Sequence, residues 1–153
     1  MKKRLIVAYD PGEHVGVAWR NLDGTLDATM IHFNLPLSYS FISDMPDIVV
    51  YEDFETSTID KHGLYTVRVV GGIQALCTHL KIPCVVQIPQ ARYPFREEAA
   101  AYLRNLRKSR KFVTHEMDAL AHLLAYENRQ KNNERRTQPT RPKEIAARLR
   151  EGL

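Results

Sequence analysis

Apolar residues fall along the chain in blocks whose spacing switches between two and the helical three-to-four, and the switches mark the elements. Leu5-Ile6-Val7-Ala8-Tyr9 is a continuous apolar run that stops at Asp10-Pro11-Gly12, the pattern of a strand buried on both faces and closed by a turn. Pro11 holds Asp10 extended. Val15-Gly16-Val17-Ala18-Trp19 predicts a second strand, Asn21-Leu22-Asp23-Gly24 a turn, and residues 26–33 a third strand, so the chain opens as an antiparallel meander. A short helix is expected over 37–44. Asp47-Ile48-Val49-Val50-Tyr51-Glu52 then repeats the first pattern, an apolar strand running into a carboxylate.

Over residues 59–80, Leu64, Val67, Val70, Ile73, Leu76 and Leu80 recur at three and four, predicting a long amphipathic helix. Gly71 and Gly72 lie inside it, each at a cost of about 1 kcal/mol relative to alanine, which points to close approach by another element. Residues 82–88 alternate as a strand, Pro89 and Pro94 bracket a loop, and a helix is expected over 95–108. A final core helix is predicted over 114–128, with Thr114 as its N-cap, Leu120, Leu123 and Leu124 along it, and the small residues Ala119, Ala121 and Ala125. Residues 129–142, polar, charged and carrying Pro139 and Pro142, predict a linker or disorder, and 142–149 one short amphipathic helix. No internal repeat is visible. Meander, helix, strand, long helix, strand, helix, helix is a mixed α/β order.

The 153 residues, 44% hydrophobic, suffice for one domain that buries roughly two thirds of its unfolded surface. That domain is placed at 1–128, with a basic polar tail over 129–153. No apolar run nears the roughly 20 residues of a membrane span, and Met1-Lys2-Lys3-Arg4 leads into too short an apolar run for a secretory signal, so a cytoplasmic protein without membrane contact is expected. Cys77 and Cys84 have no metal spacing and read as reduced, partly buried residues. The formal charge of +4 is unevenly spread: residues 92–111 hold seven Lys/Arg against two acids, whereas residues 1–91 hold seven against ten. A basic segment folded near an acidic site suits a phosphodiester substrate, since cations hold the polyanion while carboxylates hold metal ions. A solvated helix and a free tail would give the same charge pattern.

Asp10 and Glu52 each close an apolar strand, and Asp118 lies on a helix between Met117 and Ala119-Leu120. A carboxylate set against a core stays ionised mainly when it is paired or binds metal, and no Lys or Arg lies close in sequence to these three. A few hard oxygen ligands suit Mg²⁺ or Mn²⁺. Singly, each acid would be read as capping a turn or helix; together they point to metal. His115, three residues before Asp118, shares its helix face and can share an ion. Glu116 is expected to point elsewhere, into solvent.

Asp10-Pro11-Gly12 with Gly16, the acid Glu52 closing the fourth strand, and His115-Glu116-Met117-Asp118-Ala119-Leu120-Ala121 on the last helix resemble the RuvC-like Holliday junction resolvases, particularly the short phage-borne versions. The resemblance spans about residues 4–126, and Arg68-Val69-Val70-Gly71-Gly72 is similar to that family's long interface helix. It implies a ribonuclease H-like mixed sheet of about five strands flanked by helices. It also implies an endonuclease acting on branched DNA, above all four-way junctions, through two divalent ions held by Asp10, Glu52, His115 and Asp118, in a homodimer making paired incisions. Family members carry an aromatic wedge after the second acid; Phe54 stands near that place, about one position early. Arg92, Arg96, Arg104, Arg107, Lys108, Arg110 and Lys111 are candidates for phosphate contact. Two alternatives stay open: a non-catalytic junction- or protein-binding module on the same scaffold, and a nuclease acting on RNA or flapped DNA. An actin-like or sugar-kinase fold also opens on such a meander, but needs two domains to close over a nucleotide.

Overall fold

Five strands form one mixed sheet in the order β3-β2-β1-β4-β5. In the computed structural model, which describes residues 4–32, 40–53, 61–107 and 113–137, these are β1 (Ile6–Asp10), β2 (His14–Arg20), β3 (Leu26–His32), β4 (Ile48–Glu52) and β5 (Cys84–Gln87). The first three are the expected antiparallel meander; β4 lies parallel to β1, and β5 parallel to β4. Residues 40–43 are helical, within the predicted short helix. The long helix α1 spans Lys61–Leu80 and ends where Lys81 takes φ 57° and the Ile82 N–H donates to the Cys77 carbonyl at 2.9 Å, a left-handed cap of the Schellman kind.

Between β5 and α2 (Arg96–Leu106), the expected loop is a 3₁₀ segment, Pro89–Phe95, with Pro89 at its start, where a missing N–H leaves no bond unmade. The last helix, α3, runs Thr114–Thr137, so residues 129–137 continue the helix where a linker or disorder was predicted. Its exposed Arg129, Lys131, Glu134, Arg135 and Arg136 are good helix formers, and no glycine or proline interrupts them before Pro139. Thr114 is the first helical residue rather than the cap. The expected short helix over 142–149 lies outside the described residues. Among the described residues no helix is long and apolar enough to cross a membrane.

Both faces of the sheet are covered, which is why β1 and β4 read as unbroken apolar runs. On one face Val7, Tyr9, Val17, Val49 and Tyr51 pack with Val69, Ile73 and Cys77 of α1. On the other, Ile6, Ala8, Ile48 and Val50 meet Leu103 of α2 and Ala119, Leu120 and Leu123 of α3. Ala8, Ala18 and Ala28 stand opposite one another across three strands and are fully or almost fully buried. This row of small side chains lets α3 lie close on the sheet. Gly71 meets nothing within 4 Å of where a Cβ would stand, so among the described residues no element makes the close approach predicted there. Leu64 and Val67, on the same side of α1, are nearly half exposed.

Candidate functional site

Strand alternation decides where the acids point. Ile6 and Ala8 of β1, and Ile48 and Val50 of β4, face α3; two residues further along, Asp10 and Glu52 continue the same face. Gln87, which pairs with Glu52 in register, does the same on β5, where Val85 packs on the α3 side. Three adjacent parallel strands thus end in polar side chains beneath one helix. Gly16 sets the approach: a Cβ there would stand 2.0 Å from the His115 carbonyl oxygen and 3.2 Å from Asp10 Cβ. Only a glycine opposite Asp10 lets the first turn of α3 reach β2.

The contacts that result join every acid to a partner. His115 Nδ1 lies 2.7 Å from Asp10 Oδ2, and this hydrogen bond is the main reason the His115 pKa is raised, against the opposing effect of burial. Arg96 Nε donates to Asp118 Oδ1 at 2.8 Å. Arg92 donates through Nη1 to Glu52 Oε2, and its Nε stands 3.4 Å from Asp118 Oδ2. His122 Nε2 lies 2.7 Å from the same Glu52 oxygen. On its other side the Gln87 amide, turned so that its NH₂ faces the ring, donates to His122 Nδ1 at 2.7 Å. The ring is therefore neutral, donating from Nε2 and accepting at Nδ1. Burial, helped by the charge of Arg92, pushes its pKa from 6.5 down to about 4.

All four predicted ligand residues, Asp10, Glu52, His115 and Asp118, gather at this end of the sheet. The neighbours differ from expectation. Distance along the chain from any Lys or Arg suggested acids without cationic partners, yet Arg92 and Arg96 reach Glu52 and Asp118 from the 3₁₀ segment and the start of α2. Those two candidates for phosphate contact therefore stand inside the acid cluster. Arg107 turns inward as well: its Nη1 donates to Glu116 at 2.7 Å and its Nη2 to the Ala28 carbonyl. Glu116, expected in solvent, is wholly buried, because α3 is covered on two sides, by the sheet and by α2. Arg104 remains on the exposed surface. Phe54, Lys108, Arg110 and Lys111 lie outside the described residues.

His122 and Gln87 were not singled out from the sequence. The signal for His122 was its spacing, four residues after Asp118 and seven after His115, which puts all three on one helix face. His14 and His32 border the site, with ring centroids 4.3 Å apart and His14 5.8 Å from His115. Among the described residues no three His, Cys, Asp or Glu side chains stand as a preformed metal cage. Carboxylates and an imidazole are the donor types a hard divalent ion takes, and here the guanidinium of Arg92 stands between two of those carboxylates, Glu52 and Asp118.

No protein-family model matches this sequence, and no curated protein matches it at a significant level. The architecture is ribonuclease H-like, a five-stranded mixed sheet flanked by helices. Solved structures share it across most of the chain. Thermus thermophilus RuvC bound to a Holliday junction superposes with a TM-score of 0.66 over 84% of this chain and 96% of that one, at 15% identity. The fowlpox virus resolvase bound to its junction DNA gives 0.58 over 82% and 98%, at 13% identity. The yeast mitochondrial Holliday junction resolvase gives 0.53 over 79% and 76%, at 12% identity. This chain shares the fold of the RuvC-like Holliday junction resolvases.

Proposed function

We propose that this chain is a divalent-metal-dependent endonuclease that resolves four-way DNA junctions by paired incisions, acting as a homodimer. The observation that supports this most is the convergence of Asp10, Glu52, Asp118 and His115 from three elements on one end of a sheet whose fold is that of known junction resolvases. These four residues would hold Mg²⁺ or Mn²⁺, two ions in all, and the bound ions would supply an activated water and charge stabilisation at the scissile phosphate. His122, itself fixed by Gln87, orients Glu52 from behind, the arrangement that usually supports a ligating carboxylate. Arg104, exposed on α2, and Lys108, Arg110 and Lys111, which follow it in sequence, would supply positive charge for the DNA backbone. The exposed stripe of Leu64 and Val67 beside the open flank at Gly71 supports α1 as the dimer contact.

One observation favours a second reading, a junction-binding module without catalysis: Arg92 and Arg96 already neutralise Glu52 and Asp118. Incubating the protein with a synthetic four-way junction and with linear duplex, each with and without Mg²⁺, separates the two. Metal-dependent cleavage confined to the junction is the expected result. Junction binding without cleavage under any divalent ion would establish the binding module instead.

A further inference from the structure

Among the described residues four arginines, Arg20, Arg92, Arg96 and Arg107, are tied to buried or partly buried acids, and they differ in how completely they are bonded. Arg20 grips Glu127 with Nε and Nη2 and gives Nη1 to the Gly24 carbonyl at 2.6 Å. Arg107 divides its donors among Glu116, Asp27 and the Ala28 carbonyl. Each of these two guanidiniums donates three hydrogen bonds. Arg92 bridges two acids, but its buried Nε has no hydrogen-bond acceptor among the described residues, standing 3.4 Å from Asp118 Oδ2. A buried donor left without an acceptor is costly. Asp118 holds that guanidinium by charge rather than by a made bond. The oxygen to which Arg92 does donate, Glu52 Oε2, is shared with His122.

We infer that Arg92 is an internal counter-cation: it occupies the space between Glu52 and Asp118 while the site is metal-free, and a divalent ion must displace it to reach those oxygens. The inference rests on the metal-centre reading above and adds a competition built into the chain itself. Its physical basis is that the Arg92 guanidinium lies directly against Glu52 Oε2 and Asp118 Oδ2, so a divalent ion at those oxygens would stand in contact with it and be strongly repelled in a partly buried site. The 3₁₀ segment that carries Arg92 holds Pro89 and Pro94, whose fixed φ restrains the backbone, so the displacement is a swing of the side chain. Arg96 is the natural comparison. Among the described residues its ion pair is with Asp118 alone, its side chain is 40% exposed against 17% for Arg92, and its charge is better screened.

Mn²⁺ binding to the full chain, followed by calorimetry or by the spin-resonance signal of the free ion, tests the competition without reference to cleavage. Arg92→Gln should bind Mn²⁺ about tenfold more tightly than the wild type, or better, and Arg96→Gln should gain clearly less. Equal affinity of Arg92→Gln and wild type would overturn the inference while leaving the metal centre standing, and so would an equal gain in both variants, which would report general charge alone. If Arg92→Gln does not fold, the wild type still decides. Its Arg92 ¹⁵Nε resonance, identified by its absence from Arg92→Lys, should move in step with Mg²⁺ saturation, and a resonance unmoved at saturation would overturn the inference. Absence of Mn²⁺ binding in both wild type and Arg92→Gln would overturn the metal-centre reading, and the counter-cation role with it.

Discussion

Lowering the pH from about 7 to about 4 should cost the folded state close to 3 kcal/mol through His122 alone. The ring is fully buried and bonded on both sides as a neutral imidazole, with its pKa depressed by burial from 6.5 to about 4. Above the unfolded value neither state carries the proton. Between that value and about 4 only the unfolded chain does, so the contribution is complete above pH 6.5, declines as the pH falls, and is gone below about 4. At about 1.4 kcal/mol per unit the displacement corresponds to about 3 kcal/mol. His115 works in the opposite direction: Asp10 raises its pKa, so its contribution is complete below 6.5 and is lost as the pH rises through the raised value. Comparing the wild type with His122→Gln isolates the first effect, because glutamine retains an N–H for Glu52 but does not titrate. Urea unfolding of both proteins across this range should show the wild-type advantage shrinking by about 3 kcal/mol towards acid. Parallel curves would refute the reasoning, as would a His122 ring resonance titrating at the ordinary histidine value.

Gly16→Ala must push the first turn of α3 off β2, since its Cβ would meet the His115 carbonyl oxygen at 2.0 Å; calorimetry should show a loss of about 1–3 kcal/mol or more. Asp10→Asn, Glu52→Gln and Asp118→Asn should each slow junction cleavage by more than about 100-fold while leaving gel-shift affinity for the junction nearly unchanged, and near-normal cleavage by any of them would remove that residue from the ligand set. Arg107→Met leaves Glu116 buried without its arginine and should cost about 3–5 kcal/mol in urea unfolding, much of it recovered by adding Glu116→Leu. Leu64→Glu or Val67→Glu should convert a dimer into monomers by light scattering; a wild type that is already monomeric, free and on a junction, would end the dimer proposal.

The strands were legible because their demands are local. Leu5-Ile6-Val7-Ala8-Tyr9 and Ile48-Val49-Val50-Tyr51 have no polar side, so each needs cover on both faces, and the acid that ends each run marks the rim of the sheet. The far end of α3 was less legible, because Arg129 to Arg136 are equally at home in solvated helix and in solvated coil. What kept them helical was continuity with a packed helix, which spares a polar segment the cost of nucleation. Glu116 was misread through the assumption that α3 has one buried stripe. A helix held between a sheet and a second helix hides more positions than a single stripe would, and the sequence does not announce that α2 returns to cover it.

The same distinction runs through the site. An acid abutting an apolar run is visible locally, and so Asp10, Glu52 and Asp118 could be found. The arginine partners of Glu52 and Asp118 could not, for Arg92 is 40 residues from Glu52 and Arg96 is 22 from Asp118, and only the fold brings the 3₁₀ segment and the start of α2 to the sheet rim. The consequence is a division of labour within one cluster. His115 is fixed by Asp10 and by the Gly16 contact, Glu52 by His122 and Gln87, and α3 itself by Glu116 and Glu127 with the arginines bound to them, so the acids stand on elements that resist displacement. The guanidinium of Arg92 makes fewer bonds, with no acceptor at Nε among the described residues. On the proposed metal-centre reading, acids fixed by their own partners would keep their geometry while a divalent ion replaced the less fully bonded Arg92 guanidinium, and such an exchange would let a carboxylate centre fold without metal and still receive it.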